Sequence, residues 1–370
     1  MITSNEAAGR GAATFAAVRL GRAVARGLGA AVVFAAALQP RPALAQRPAP
    51  APTPTPSPAA APATVPEPAR VSAEVVVSAP RIDIPLQENP AATTVVEGSQ
   101  LAVLPKTIAA DEALWLVPGV KVDNQADGER VHLSIRGQGI LTETGIRGIK
   151  VVLDGLPLND PTGFAPDLFD VDWATVKRVE VLRGPASSLY GGGASGGILN
   201  IETRDGGPGP ASVELSQSVG SYGFWKTLAE VGGTDGNLNY RVAASRMELD
   251  GYRVHTAADA TNLYGKFNFD LGRGDRITAI VAATEFFNQN AEGLNALQAY
   301  QDPRQPNPDA LTYNEYQRTQ RATLGLVGRI GLSPEADLAF AAYMRATLWK
   351  ESVPSSVDRR DIRSPGGYLQ

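Results

Sequence analysis

The chain has 370 residues, a formal net charge of −4 and no cysteine. This weakly acidic composition provides no excess of basic side chains, which argues against nucleic acid as a partner. The lack of cysteine excludes disulfides, thiolate metal sites and a cysteine nucleophile, and leaves only His132 and His255 for a histidine-based metal site. We therefore predict neither a bound metal nor a cofactor.

The first 45 residues have the order of an export signal. The apolar run GLGAAVVFAAAL is followed by Ala43-Leu44-Ala45, a small-x-small cleavage site, and is preceded by Arg10, Arg19, Arg22 and Arg26. The run is shorter than the roughly 20 residues that a transmembrane helix needs. We predict a signal peptide over residues 1–45; a buried helix or an uncleaved anchor is the alternative.

The next two segments predict a spacer and a strand without a partner in its own domain. Residues 46–72 carry proline at nearly every second position, which favours a semi-rigid polyproline spacer. Residues 73–81, AEVVVSAPR, contain three successive valines of high β-propensity. Proteins normally avoid exposing such a strand, so we expect it to add to the sheet edge of another protein. The alternative is that it is the first strand of the following domain.

Residues 82–206 have the pattern of a small α/β domain. The stretch from Ala109 to Val117 has helical spacing and is stopped by Pro118-Gly119. Three strand-like stretches follow: VHLSIRG, IKVVLDGLPLND with a turn, and ATVKRVEVLRG with a short helical lead. The pattern predicts a mixed domain whose strands are joined by glycine turns.

Residues 207–370 read as membrane-spanning strands. Apolar side chains recur at every second position in segments of about ten residues, which predicts a transmembrane antiparallel β-barrel, although a soluble sandwich would show similar alternation. The seven segments are Ser212–Gly220, Phe224–Gly232, Leu238–Leu249, Thr261–Leu271, Arg276–Phe286, Arg321–Ile330 and Ala336–Trp349. Short turns such as TDGN and GRGD contrast with the long polar stretch 288–316, as expected for the two ends of an outer-membrane barrel.

The number of predicted strands indicates whether the chain could form a closed barrel. Bacterial single-chain barrels have even strand numbers from about eight upward, whereas the alternation here predicts seven strands and no closing strand. We therefore expect the chain to be an N-terminal fragment of a longer protein or a truncated gene product.

A glycine-dense stretch, VEVLRGPASSLYGGGASGGILNIET, occupies residues 179–203. Its segment from Gly191 to Gly196 satisfies G-x-G-x-x-G, but the dinucleotide fingerprint requires a helix after the glycines, and a β-rich run follows here. No Gly-Lys-Ser/Thr follows either, so a phosphate-binding loop is disfavoured. The remaining interpretation is a turn in which glycine permits positive φ and a close backbone approach.

Together with LSIRGQG at Leu133 and VVLDGLPLND at Val151, the glycine-dense stretch resembles the plug domain of TonB-dependent outer-membrane receptors. The resemblance covers residues 91–204. It implies a plug filling a barrel of about 22 strands, and TonB, with ExbB and ExbD in the inner membrane, as the energising partner. It further implies a monomer in the outer membrane, with its N-terminus in the periplasm, that imports a ferric siderophore, haem or cobalamin.

The resemblance also gives roles to individual residues. The strand that binds TonB is formed by Glu74, Val75, Val76, Val77 and Ser78. The arginines that lock the plug to carboxylates of the barrel are Arg136 and Arg183. The plug turn, expected to pass close to the barrel wall, carries Gly184, Gly191, Gly193, Gly196 and Gly197. Outward loops of the plug supply the candidate ligand contacts Gln138, Thr142, Asn159 and Phe164.

Two other classes of function remain open at this point. Asp154-Gly155 is best interpreted as a turn, and no nucleophile or second carboxylate stands at a spacing that suggests catalysis, so we predict no enzymatic activity. A nucleotide-binding oxidoreductase is the first alternative. The second is an exported, plug-like binding or signalling module that does not transport.

Overall fold

The computed structural model describes residues 76–78, 84–101, 113–123, 132–139, 146–160, 168, 171–333, 336–354 and 356–370. Within these residues, no helix is both long and apolar enough to cross a bilayer. The predicted signal peptide, the spacer and residues 109–112 of the predicted helix lie outside the described residues. In the remainder of that helix, residues 113 and 114 are helical, whereas residues 115–117 form a turn and a bend.

The N-terminal domain is built on a five-stranded sheet of order β3-β8-β9-β6-β7. Its main hairpin, β8 and β9, is antiparallel, and β6 runs parallel to β9. The strands before and within it are β1 Val76–Val77, β2 Ile84–Pro85, β3 Thr93–Glu97, β4 Val120–Asp123, β5 His132–Ile135, β6 Ile149–Leu153, β7 Leu156–Pro157, β8 Val176–Arg183 and β9 Gly197–Thr203. Its short helices are α1 Gly98–Leu101 and α2 Ser187–Tyr190, with a 3-10 turn at Trp173–Thr175.

The predicted α/β pattern of this domain is confirmed. The stretches VHLSIRG, IKVVLDG and ATVKRVEVLRG form β5, β6 and β8, the last after the 3-10 turn. The core of the sheet consists of β-branched and leucine side chains that are almost fully buried: Ile149, Val151, Val179, Val181, Leu199 and Ile201. Burial of a side chain of this kind contributes about 1.5–3 kcal/mol relative to exposure.

The second part of the chain is one eight-stranded antiparallel sheet in sequential order. Its strands are β10 Ser212–Val219, β11 Trp225–Asp235, β12 Leu238–Leu249, β13 Ala258–Gly272, β14 Asp275–Gln289, β15 Tyr316–Ser333, β16 Ala336–Val353 and β17 Ser356–Leu369. All seven predicted segments lie on strands. Strands β10 and β17 are its edges, so the sheet is not closed within the described residues.

The predicted number of seven strands is wrong because β17 was not recognised. Its stretch VDRRDIRSPGGYL has charges on both faces and contains Pro365, which cannot donate to a ladder. Proline is tolerated on an edge strand, and β17 has a neighbour on one side only. The argument from an odd strand number therefore fails.

The sheet has one polar face and one apolar face. On the first face, a Cβ placed at Gly325 or Gly155 would collide with Leu156 or Val327 respectively, which shows that this side of β15 packs on the N-terminal domain. Side chains at the alternate positions point the other way, and Leu324 and Met344 are 60% and 54% exposed there. The face away from the N-terminal domain therefore presents an apolar belt, as the alternation predicts.

The two ends of the sheet differ, also as predicted. At one end, β11–β12 and β13–β14 are joined by the two-residue turns 236–237 and 273–274. At the other end, residues 290–315 form a long loop with α3 Ala296–Gln301 and α4 Pro308–Thr312. The Arg253 guanidinium orders this loop by donating to the carbonyls of Glu292 at 2.7 Å and Ala291 at 3.1 Å.

Candidate functional site: the plug, its anchors and the N-terminal strand

An ion pair between Asp172 and Lys226 anchors the N-terminal domain to the sheet. Asp172 precedes the 3-10 turn, and its Oδ1 accepts from the backbone N–H of Ala174 at 3.0 Å and from Lys226 Nζ at 2.6 Å. Both side chains are less than a tenth exposed. Lys226 lies on β11 at a position facing the domain, so the pair crosses the interface where water is excluded.

A second anchor is centred on Asp154. Its turn conformation, with φ of 46°, lies in the left-handed region that Asp and Asn tolerate better than most residues. Its carboxylate accepts from Tyr264 Oη at 2.6 Å and from Lys266 Nζ at 2.9 Å, both on β13, and from the backbone N–H of Thr203 at 3.0 Å. The sequence interpretation of Asp154 as a turn is confirmed, but it misses this anchoring function.

Asp205 shares the ammonium group of Lys266 at 2.9 Å. Burial opposes ionisation of this carboxyl, but the attraction of Lys266 outweighs it and lowers the pKa of Asp205. A carboxylate whose pKa is lowered on folding stabilises the fold above its ordinary pKa, and that contribution is lost as the pH falls through the folded value.

Two arginine contacts extend the anchored surface. Arg204, which directly follows β9, pairs with Glu230 of β11. Arg241 of β12 lies 2.7 Å from the same carboxylate. Arg345 of β16 donates to the carbonyls of Pro157 at 2.9 Å and Leu158 at 3.1 Å. The domain is thus tied to strands from β11 to β16 by charged groups that the alternation marks as inward-facing.

The N-terminal strand is docked on the same domain. Val76 and Val77 pair antiparallel with Pro85 and Ile84, so the expectation of an unpaired strand is wrong for this state. Glu74 and Val75 lie outside the described residues. The ribbon of β1 and β2 is not part of the five-stranded sheet, which also disfavours its being the first strand of that sheet.

Ser78 joins this strand to a cluster of buried polar groups on β8 and β9. Its backbone N–H donates to Glu180 Oε2 at 3.0 Å, and its hydroxyl donates to Glu202 Oε1 at 2.9 Å. Arg178 bridges both carboxylates, at 3.0 Å from Glu180 and 2.7 Å from Glu202, and Asn200 donates to the Ser78 hydroxyl at 3.2 Å. We call these four plug residues, Arg178, Glu180, Asn200 and Glu202, the Ser78 cluster.

Burial raises the pKa of Glu180, whose side chain has no exposed surface. A carboxyl whose pKa is raised on folding stabilises the fold while it is protonated, and this contribution is lost as the pH rises through the folded value. The ionised form of Glu180 therefore depends on its donors, which include Arg178 and the N–H of Ser78. Between this cluster and the Asp154 anchor lies a cavity of about 340 Å³, lined in part by Ser78, Glu202 and Lys266.

The structure places the two predicted lock arginines side by side. Arg183 Nη1 donates to the carbonyl of Pro118 at 2.7 Å, and Arg136 Nη1 donates to the carbonyl of Arg183 at 3.5 Å. Neither guanidinium meets a carboxylate among the described residues, so their locking role stays a prediction. The anchors that the structure does show are other residues, on the face turned to β11–β16.

The glycines of the plug turn adopt backbone conformations that favour glycine. Gly184, Gly191, Gly193 and Gly197 have positive φ. Gly196 is confined instead, since an added Cβ would lie 2.5 Å from Gln138 Cβ. Among the described residues this close approach is made within the domain itself, and the expectation that the turn passes against the barrel wall stays a prediction. After the turn comes strand β9 and no helix, which removes the dinucleotide interpretation.

The predicted ligand contacts are only partly placed. Asn159 is buried, and its amide accepts from the N–H of Val151 at 2.8 Å and donates to the carbonyl of Ile149 at 3.0 Å. This side chain clamps β6 and is not available to a ligand, so its assignment is wrong. Gln138 is exposed beside Gly196 and stays a prediction. Thr142 and Phe164 lie outside the described residues.

Comparisons with known proteins agree with this architecture. A family model, TonB-dependent Receptor Plug Domain, matches residues 85–198. The vitamin B12 transporter BtuB of Photobacterium profundum is 31% identical over 180 residues, which cover 48% of this chain and 28% of that protein. The hemin receptor of Yersinia pestis is 30% identical over 216 residues, covering 55% and 30%.

Solved structures share the fold. The ferric citrate transporter FecA in its unliganded form has a TM-score of 0.63 at 19% identity, over 76% of this chain and 44% of that one. The copper transporter OprC has a TM-score of 0.59 at 17% identity, over 76% and 43%. At these identities the likeness concerns the fold alone.

Fold and anchors together define an α/β plug seated on one wall of an antiparallel transmembrane-type sheet. Residues 85–198 match the TonB-dependent receptor plug domain. The chain spans about 30% of the length of the curated relatives that it matches. The names of those relatives describe a transporter and a receptor.

Proposed function

We propose that the chain forms the plug and adjoining wall of an outer-membrane receptor that imports a scarce ligand with energy delivered through TonB. The observation that carries this proposal is the N-terminal strand Val76–Val77, which is held on the plug by one serine at the edge of a buried charge cluster. A strand so short and so locally held can be exchanged for a partner strand, because main-chain hydrogen bonds supply the affinity in strand addition.

The same geometry supports a gated mechanism. In the docked state, part of the backbone of β1 is used by β2, and Ser78 is bonded to Glu180 and Glu202. TonB would bind only the released strand, so the docked population reduces its apparent affinity. Pulling on the bound strand would then displace plug residues while the Asp154 and Asp172 anchors hold the rest on the wall.

The proposed ligand class follows from the relatives. Their names specify vitamin B12 and hemin, and ferric enterobactin and ferric citrate appear among the structural neighbours. We favour a ferric siderophore, with haem or cobalamin as the other candidates. ExbB and ExbD as further partners, a monomeric state and a periplasmic N-terminus complete the proposal.

Replacing Val76 with proline should weaken binding of the chain to the C-terminal domain of TonB. Proline removes the N–H that an added strand would share and fixes φ, so we expect at least a tenfold loss of affinity, equivalent to about 1.4 kcal/mol. Isothermal titration of the purified chain in detergent measures the effect. Val71→Pro, the same substitution in the predicted spacer, is the matched control and should bind as the unmodified chain does. Equal affinities for all three proteins would contradict the strand-addition mechanism.

Weakening the Ser78 cluster should have the opposite effect. Glu202→Ala leaves the N-terminal strand unchanged but removes the nearest acceptor of the Ser78 hydroxyl, at 2.9 Å, and leaves, among the described acceptors, only Glu180 at 3.4 Å. A hydrogen bond to a charged group contributes about 1.5–3 kcal/mol, so TonB should bind roughly tenfold more tightly or better. Glu248→Ala, on the outward face of β12, should leave the affinity unchanged. If Glu202→Ala bound TonB no more tightly, the cluster would not hold the strand closed.

A further inference from the structure

A row of three cations crosses the outward face of the sheet near its long-loop end. Arg318 of β15 lies directly opposite Lys350 of β16, which lies directly opposite Arg359 of β17. Side chains opposite one another in adjacent antiparallel strands have Cβ atoms only about 4.5–5.5 Å apart. We call these three residues the outward row.

The register shows which way the row points. On the same strands, Arg321 and Arg345 occupy positions of the other parity, and Arg345 donates to plug carbonyls at 2.9 and 3.1 Å. Because successive side chains of a strand point to opposite faces, the outward row faces away from the plug. It lies on the face of the apolar belt that includes Leu324 and Met344.

Carboxylates of the described residues neutralise only one cation of this row. Arg318 pairs with Glu285 at 3.0 Å, while Asp361, on the same face, pairs with Arg363 at 3.8 Å. Within the described part of the chain, no carboxylate forms an ion pair with Lys350 or Arg359. Like charges directly opposite each other destabilise a sheet. The stability of the protein therefore does not explain why three cations lie side by side here.

Another part of the same face is balanced. Arg246 of β12 lies 2.8 Å from Glu248 and 2.8 Å from Asp259, so two carboxylates surround one guanidinium. The excess of positive charge is therefore local to β15–β17 and is not a general property of this end of the sheet.

Aromatic rings beside the outward row indicate its depth relative to the membrane. The Arg318 guanidinium stacks over Phe287 at 5.0 Å, and Lys350 Nζ lies 5.1 Å from the ring centroid of Tyr316. Aromatic side chains that border an apolar belt occupy the level of the lipid headgroups. At this level, a phosphate of a membrane lipid is the anion that outward-facing cations would meet.

We propose that the outward row of Arg318, Lys350 and Arg359 binds the phosphate of an anionic lipid headgroup in the outer leaflet. The occupant is an acylated lipid, because its chains would lie on the apolar belt below the row while its phosphate joins Lys350 and Arg359. The inference rests on the proposed membrane placement of the sheet, but it is independent of the imported ligand and of TonB.

The test uses the full chain in detergent with two kinds of vesicle. These are phosphatidylcholine alone and phosphatidylcholine doped with lipid A, a phosphorylated glucosamine lipid. The unmodified chain should prefer the doped vesicles, and the double variant Lys350→Gln/Arg359→Gln should lose about thirtyfold in that preference, at roughly 1 kcal/mol for each cation near an anionic surface. Lys350→Arg should retain it. Because these side chains are on the surface, the variants should fold as the unmodified chain does.

Arg246→Gln is the matched control, since it removes one outward cation at the same end of the sheet and should change the preference little. Equal loss in Arg246→Gln and the double variant would overturn the proposal, because net charge alone would then account for the binding. Equal binding of the unmodified chain to dephosphorylated lipid A would overturn it as well. Failure to bind either kind of vesicle would contradict the membrane placement and the lipid site together, whereas TonB affinity would be unaffected.

Discussion

Replacing Asp172 with asparagine should destabilise the chain by about 3–5 kcal/mol, the usual cost of removing one partner from a buried ion pair. Asparagine keeps a side-chain oxygen that can accept from the N–H of Ala174 and cap the 3-10 turn. The lost stability would therefore come from the missing charge and not from a disrupted turn. Lys226, which is less than a tenth exposed, would lose the carboxylate that lies 2.6 Å from its Nζ. Unfolding in denaturant, followed by the fluorescence of the adjacent buried Trp173, measures the change.

A double variant separates the net contribution of the ion pair from the cost of leaving one charge buried without its partner. Asp172→Asn combined with Lys226→Met removes both charges, and because a buried pair often contributes little net stability, most of the lost free energy should return. Asp259→Asn provides the matched control: its partner Arg246 is on the outward face and 30% exposed, so the cost should be below about 1 kcal/mol. A small effect of Asp172→Asn, equal to that of Asp259→Asn, would show that the Asp172 pair does not anchor the plug.

Local patterns in the sequence account for the elements of the fold but not for the contacts between them. Alternation predicts β11 and β13 and shows that Lys226 and Lys266 share a face, because a strand has a period of two. It does not reveal that their partners are Asp172 and Asp154, which are 54 and 112 residues away. Such pairings depend on how the plug is seated, and no local propensity encodes that.

The errors have physical causes of the same kind. The pairing of Val76 with Pro85 was missed because proline within a run argues against a strand, although a ribbon with a free edge tolerates it. Asn159 looked like an exposed loop residue, yet it is buried and its amide satisfies two backbone groups of β6, the N–H of Val151 and the carbonyl of Ile149. The lock arginines and Gln138 were named from resemblance alone, and their partners are not among the described contacts.

The prediction for Asp154 follows from four donor groups that converge on one carboxylate: Tyr264 Oη, Lys266 Nζ, and the backbone N–H and hydroxyl of Thr203. Asp154→Asn keeps a residue that tolerates the left-handed φ of 46°, but it leaves Lys266 and Tyr264 with a weaker acceptor; we expect a loss of about 3 kcal/mol. Asp154→Ala should cost roughly 1–2 kcal/mol more, because alanine is strained in that conformation. Denaturant unfolding measures both variants.

Hydrogen exchange adds a local readout to this prediction. The amide of Thr203 donates to Asp154 Oδ1, so its exchange should accelerate in Asp154→Ala, while the amide of Ala174 near the Asp172 anchor should keep its protection in the folded protein. Asp205→Asn is the matched control, because Lys266 keeps Asp154 as its partner and the loss should be smaller. If Asp205→Asn destabilised the chain as much as Asp154→Asn, any carboxylate beside Lys266 would serve equally well. The turn at Asp154 would then not be specifically required to hold the plug on the sheet.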